Sequence, residues 1–318
     1  MEWLLVGLGL VILLLAGDAL VKGAVNLSLR VGIPALIVSL TIVAFGTSAP
    51  ELLISVKAGL EGVPGLALGN VVGSNTANIL MVLGIPALMA TMHTSECDSR
   101  KTYLQMLAAS VLFIGLAFTG EFNVITGLIL LAALFAMLTI AFLDARAHRS
   151  AEKAAIAATE EEEVEGADPD MPWWQILVFL ALGLVGLPLG ADLLVDNASI
   201  IARRYGISDT VIGLTLVAVG TSLPELATTV MAALRRQADV ALGNVIGSNM
   251  FNLLAIIGIA GLVAPIPVDR EFLTFDLWVM LGASILLVPF VFLGRDITRI
   301  WGVILTALYV GYVVIVLS

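Results

Sequence analysis

The sequence predicts an all-α membrane protein, with ten transmembrane helices as two inverted five-helix repeats about a pseudo-two-fold axis in the membrane plane. Three observations carry this. Of 318 residues, 60% are hydrophobic and only 13% charged, far more apolar than a water-soluble domain. Apolar stretches of about 20 residues, enough to cross a bilayer, recur along the chain. Finally, one pair of segments occurs twice, 174 positions apart and without a gap. TIVAFGTSAPE (41–51) and LGNVVGSNTAN (68–78) return as TLVAVGTSLPE (215–225) and LGNVIGSNMFN (242–252).

The expected spans of the first half are 3–29, 34–60, 65–90, 101–119 and 122–143; those of the second are 173–202, 207–234, 239–264, 272–293 and 299–317. The first span has Glu2 as its only early charge and is expected to be a retained helix, not a cleaved signal. Repeat 1–143 is joined to repeat 173–318 by a polar linker, 144–172, containing AEKAAIAATEEEEVEGADPD. Its Ala/Glu bias allows a short helix, and its charge a solvated coil. Trp173 and Trp174 then suit an interface at the start of the sixth span.

Five crossings end on the opposite side from where they began, so the second copy inserts upside down, as in many secondary transporters. Charge supports the arrangement. With both termini outside, eleven Lys and Arg (22, 30, 100, 101, 146, 149, 153, 235, 236, 295, 299) lie inside and four (57, 203, 204, 270) outside. That is a positive-inside bias, and it makes the linker cytoplasmic in a multi-pass plasma-membrane protein. The net charge of −10 includes the acidic linker and says little about partners. The expected partners are lipid and inorganic cations, with no nucleic acid. One cysteine, Cys97, rules out an intrachain disulfide, and two histidines, His93 and His148, give no metal cluster.

Each copy puts a Glu, a Pro and several hydroxyl and amide residues inside an apolar run, where lipid penalises them unless they face a site. Thr47, Ser48 and Glu51 share a helix face, as do Thr221, Ser222 and Glu225. Pro50 and Pro224 withhold a backbone donor from Gly46 and Gly220. Each segment is therefore expected to be a kinked helix with free carbonyls beside a carboxylate. Such backbone is tolerated at membrane depth where it lines a cavity or is buried in protein. The next helix of each half offers Ser74 and Asn78, or Ser248 and Asn252, with Asn70, Asn75, Asn244 and Asn249 beside them. An all-oxygen set of this kind suits hard cations such as Ca²⁺ and Na⁺. Gly69 and Gly73, like Gly243 and Gly247, are spaced for close helix approach. Asp18 and Asp192 correspond under the offset. Lys22, one turn after Asp18, is its expected ion-pair partner, whereas Asp196 takes that place beside Asp192.

The doubled GTSxPE and GNxxGSN segments resemble the α-repeats of the sodium/calcium exchangers, within the cation/Ca²⁺ antiporter superfamily. The likeness covers essentially the whole chain. It implies an antiporter with no catalytic residues and no organic cofactor, in which Ca²⁺ and Na⁺ are the transported ions. By that resemblance Glu51, Glu225, Thr47 and Thr221 hold Ca²⁺. Na⁺ is held by Ala44, Ser48, Glu51, Ser74, Ala218, Ser222, Glu225 and Ser248, and Asn78 and Asn252 complete the centre. The resemblance also implies that the first helix of each half slides past the other eight to alternate access. One departure stands out: many exchangers carry Asp where this chain has Asn252, so its motifs supply two carboxylates, not three. The alternatives are a Ca²⁺/H⁺ antiporter of the same superfamily and, from another class, a cation channel. An intramembrane protease would need a paired-aspartate motif that Asp18 and Asp192 lack.

Overall fold

A computed structural model describes residues 1–155, 168, 170–206 and 218–317. The first long helix, α1 (Glu2–Val31), is closed by Gly32 in the left-handed conformation (φ 69°), whose N–H bonds the Ser28 carbonyl at 2.8 Å. This is a glycine C-cap. The chain continues through α2 (Ala35–Thr47), α3 (Ala49–Leu60), α4 (Pro64–Leu80), α5 (Gly84–Met89), α6 (Arg100–Ala117) and α7 (Val124–Ala155). The second half contains α8 (Trp173–Arg204), α9 (Ala218–Thr221), α10 (Leu223–Leu234), α11 (Ala238–Val263), α12 (Phe272–Phe292) and α13 (Arg299–Leu317).

Among the described residues seven helices are long and apolar enough to cross a membrane, or eight if α2 and α3, bent by 44° at Ser48, form one span. The two other expected spans fall on α6, which opens with Arg100 and Lys101, and on 207–234. Of the latter only α9 and α10 lie within the described residues. One boundary differs from expectation. Helix α7 does not stop near 143 but runs on to Ala155, because DARAHRSAEKAA is free of Gly and Pro and rich in helix formers. The far end of the linker touches α1: the Asp168 N–H bonds Asn26 Oδ1 at 2.8 Å, and Met171 is buried in the cluster that holds Leu20 and Ala24.

Helices α4, α5 and α11 form the middle of the molecule and are almost wholly buried. The outer helices expose apolar side chains such as Leu4, Phe135 and Ile300, a surface suited to lipid and costly in water. Two short backbone closures tie the halves together. Met92 bridges Ile297, and Phe122 pairs with Ile266 in a two-residue antiparallel ladder. Met92 and Ile266 are equivalent under the 174 offset, so the loop after the third span of each half is pinned to the other half.

Helices α1 and α8 pack along one another through small residues. A Cβ on Gly9 would lie 2.8 Å from the Gly190 carbonyl oxygen, and one on Gly190 or Gly23 would lie 2.9 Å from the backbone nitrogen of Leu13 or Leu180. Only glycine permits backbones this close. Gly243 is used the same way, 2.6 Å from the Leu36 carbonyl oxygen, and Gly247 meets Leu40 and Ala44. The equivalents of Leu36 and Leu40 are residues 210 and 214, so the matching expectation for Gly69 and Gly73 lies outside the described residues.

The expected Asp18–Lys22 pair is absent. Asp18 instead accepts a hydrogen bond from Arg235 Nε at 2.5 Å, and Lys22 sits 4.7 Å from the ring centre of Phe179 on α8. Both partners come from the other half, so the tertiary contact overrides the local one.

Substituting Gly190→Val should cost about 1–3 kcal/mol through overpacking. It should lower the apparent melting temperature in detergent, whereas Gly7→Val, with nothing within 4 Å of its Cβ, should leave it unchanged.

Candidate functional site

Both GTSxPE segments break at the same place. Ser48 (φ −84°, ψ 5°) ends α2 and precedes α3; Ser222 (φ −88°, ψ 3°) does the same between α9 and α10. Pro50 and Pro224 follow in the first turn, where a missing N–H costs nothing. Each break thus begins a new helix rather than merely bending an old one. Glu51 and Glu225 fall in those first turns, where the free N–H groups and the helix dipole favour negative charge.

The two carboxylates are 1% and 0% exposed. Among the described residues no Lys, Arg or His pairs with either. Side chains of both halves converge on them. Ser48 Oγ donates to Glu225 Oε1 at 3.2 Å, and Ser248 Oγ reaches the same oxygen at 3.4 Å. Thr47 Oγ1 lies 3.3 Å from Asn244 Oδ1, 3.3 Å from the Ala44 carbonyl oxygen and 3.4 Å from Ser248 Oγ. Having one proton to give, it donates to either Asn244 Oδ1 or the Ala44 carbonyl at a time, while its lone pairs remain able to accept from Ser248 Oγ. Ser48 and Thr47 belong to the first half, Ser248, Asn244 and Glu225 to the second, so one polar layer is assembled from both.

The other expected residues are placed as follows. Ser74, Asn78, Thr221, Ser222 and Asn252 are all buried, and Ala44 is buried beside them on α2. Ala218 opens α9. Asn78 Nδ2 donates to Asn249 Oδ1 at 3.0 Å, joining α4 to α11 near the centre. Several buried polar atoms have no hydrogen-bond partner among the described residues: Glu51 Oε2, Glu225 Oε2, Ser222 Oγ, Asn75 Oδ1, Asn78 Oδ1, and both Oδ1 and Nδ2 of Asn252. Such atoms are costly to bury. All but one are oxygens, and none is thiolate or imidazole. Nor do three His, Cys, Asp or Glu converge anywhere among the described residues. An electron-rich pocket with surplus acceptors and two carboxylates is chemically suited to a hard cation.

Two features were not foreseen from the sequence. Asn70 Nδ2 reaches the Glu51 carbonyl oxygen at 3.4 Å and Ser55 Oγ at 3.3 Å, while Asn244 Nδ2 reaches the Glu225 carbonyl oxygen at 3.3 Å and Thr229 Oγ1 at 3.2 Å. The same amide clamp therefore holds each Glu-bearing turn to the following helix. Ser55 and Thr229 could have been found by extending the 174 offset one turn past each Glu. The second feature is a wide turn at each central asparagine. A π-helical turn spans Phe251–Ile256, and in the first half the Val82 N–H bonds the Ala77 carbonyl, five residues back, at 2.9 Å. Wide turns of this type are frequent at functional sites.

A family model described as "Sodium/calcium exchanger protein" matches residues 1–143 and 175–318. The chain belongs to the sodium/calcium exchanger family. Among similar proteins, the sodium/calcium exchanger MaX1 of Methanosarcina acetivorans is 33% identical, over 99% of this chain and 98% of its own. The inner membrane protein YrbG of Escherichia coli is 34% identical, over 87% of this chain and 85% of its own. In structure the chain resembles the sodium-calcium exchanger NCX_Mj soaked with Na⁺ and Sr²⁺ (TM-score 0.82, 31% identity), over 98% of this chain and 97% of that one. Membership makes this chain a multi-pass membrane antiporter for cations, with transport and not catalysis as its activity.

Because both polar atoms of Asn252 are buried and unpartnered, the similarly shaped Asn252→Leu should fold as well as the parent or better. Thermal unfolding of the purified protein in cation-free buffer should show an equal or higher midpoint.

Proposed function

We propose that this chain exchanges Na⁺ for Ca²⁺ by alternating access at one site near the membrane midplane, built from two inverted five-helix repeats. The observation that carries this reading is the pair of buried carboxylates, Glu51 and Glu225, contributed by equivalent positions of the two halves with no basic partner among the described residues. One Ca²⁺ balances both charges. Its ligands in this reading are the two carboxylates and the backbone of Thr47 and Thr221. Na⁺ ions take the same carboxylates together with Ser48, Ser74, Ser222, Ser248 and the carbonyls of Ala44 and Ala218, with Asn78 and Asn252 between them.

Competition for Glu51 and Glu225 gives coupling. A loaded site carries little uncompensated charge and can pass between the two access states, whereas an empty pair of carboxylates resists crossing a dry gate. Helices α1 and α8, flush through their glycines, are the pair that slides against the rest. The units are 1–143 and 173–318, with both termini outside, the linker 144–172 in the cytoplasm, and the plasma membrane as the site of action. Serine hydroxyls on Glu225 favour Na⁺ over H⁺ as the coupling ion, since a proton needs only the carboxyl.

Proteoliposomes loaded with Na⁺ and diluted into Na⁺-free medium at clamped pH should take up ⁴⁵Ca²⁺. Glu51→Gln and Glu225→Gln should each reduce that uptake to background while eluting as folded protein. Retained uptake in both variants would discard the site. Uptake driven by a pH gradient and indifferent to Na⁺ would replace Na⁺ by H⁺, and Ca²⁺ flux without any counter-ion would mean a channel.

A further inference from the structure

The internal repeat allows each contact to be compared with its two-fold equivalent, and at one place the equivalents disagree in both geometry and charge. On one face α1 seals against α10. A Cβ on Gly17 would lie 3.0 Å from the main chain of Ala227, Ala227 is 6% exposed, and Asp18 holds Arg235, the residue that caps α10, at 2.5 Å. The two-fold equivalents of Gly17, Asp18, Ala227 and Arg235 are Ala191, Asp192, Leu53 and Glu61. Leu53 is 72% exposed, so α8 does not cover α3 as α1 covers α10. Glu61 points to Lys57 on its own helix at 3.7 Å, with both side chains largely exposed.

Resting on the alternating-access reading above, we infer that the Asp18–Arg235 ion pair is a one-sided latch that holds access closed at the Arg235 end of the molecule. In the opposite state α8 closes on α3, and the equivalent contact brings Asp192 toward Glu61. Two carboxylates repel, and Lys57 beside Glu61 is an exposed, solvent-screened side chain, so that state lacks an equivalent of the Asp18–Arg235 pair. The pair in hand is partly buried, with side chains 25% and 31% exposed, and is charge-assisted; it contributes to one state alone and therefore shifts the populations of both. A symmetric scaffold thereby acquires a preferred resting side. Lys22 does not substitute for Arg235, being engaged on Phe179.

The test reads access, not transport. In a Cys97→Ser background, Ala227→Cys is labelled with a water-soluble maleimide in detergent. The thiol is covered by α1 when the latch is closed. Adding Arg235→Gln should raise the labelling rate about tenfold, as the unlatched state becomes more populated. The charge swap Asp18→Arg with Arg235→Asp should restore protection. Glu61→Arg, at an exposed position, gives Asp192 a partner and should raise the rate with the original latch intact. Unchanged labelling in Arg235→Gln and Glu61→Arg would overturn the latch, and so would a charge swap that fails to restore protection. Failure of the transport reading is separate: wild-type protein without Na⁺-driven Ca²⁺ uptake would sink the exchange cycle and leave the labelling rates as measured.

Discussion

Glu51 and Glu225 are buried with no basic side chain among the described residues to neutralise them, and the surrounding architecture compensates for that burial. Moving a lone carboxylate from water into low dielectric costs several kcal/mol or more. The chain meets part of this cost with backbone. Each helix is broken at a serine and restarted at a proline, so that both carboxylates sit over fresh helix N-termini. Hydroxyls from both halves contribute more, as Ser48 and Ser248 do on Glu225. What remains unmet among the described residues is a set of oxygens without partners, the deficit that the proposed site assigns to a transported cation.

The same demand explains why α4 and α11 occupy the centre. They carry the amides that clamp the two Glu-bearing turns and that meet across the halves through Asn78 and Asn249. They also carry glycines close to other backbones, such as Gly243 and Gly247 on α11. Symmetry is kept in the clamps behind the two glutamates and lost at the face where α1 meets α10. The amide clamps match atom for atom, but Asp18 finds a guanidinium where its equivalent would find a carboxylate.

Much of this was legible in the sequence. The 174 offset exposed the two halves and Pro50 announced a break, although that break parts Thr47 on α2 from Glu51 on α3 and so divides the single helix face expected for them. Other features depended on information that no local window holds. Asp18 and Lys22 satisfy the rule for a helical ion pair, yet each prefers a partner from the other half, and a one-dimensional reading cannot weigh a neighbour 217 positions away. The helix that the Ala/Glu bias of the linker allows is continuous with the fifth span, and no local pattern distinguishes such a continuation from a separate short helix. The wide turns at Asn78 and Asn252 have no residue signature of their own.

The central claim is that two carboxylates from two repeats make one shared cation site. Calorimetric titration of the purified protein with Ca²⁺ at several fixed Na⁺ concentrations addresses it directly. The account predicts one Ca²⁺ per chain, bound more weakly as Na⁺ rises. Two independent Ca²⁺ sites, or an affinity that ignores Na⁺, would contradict it.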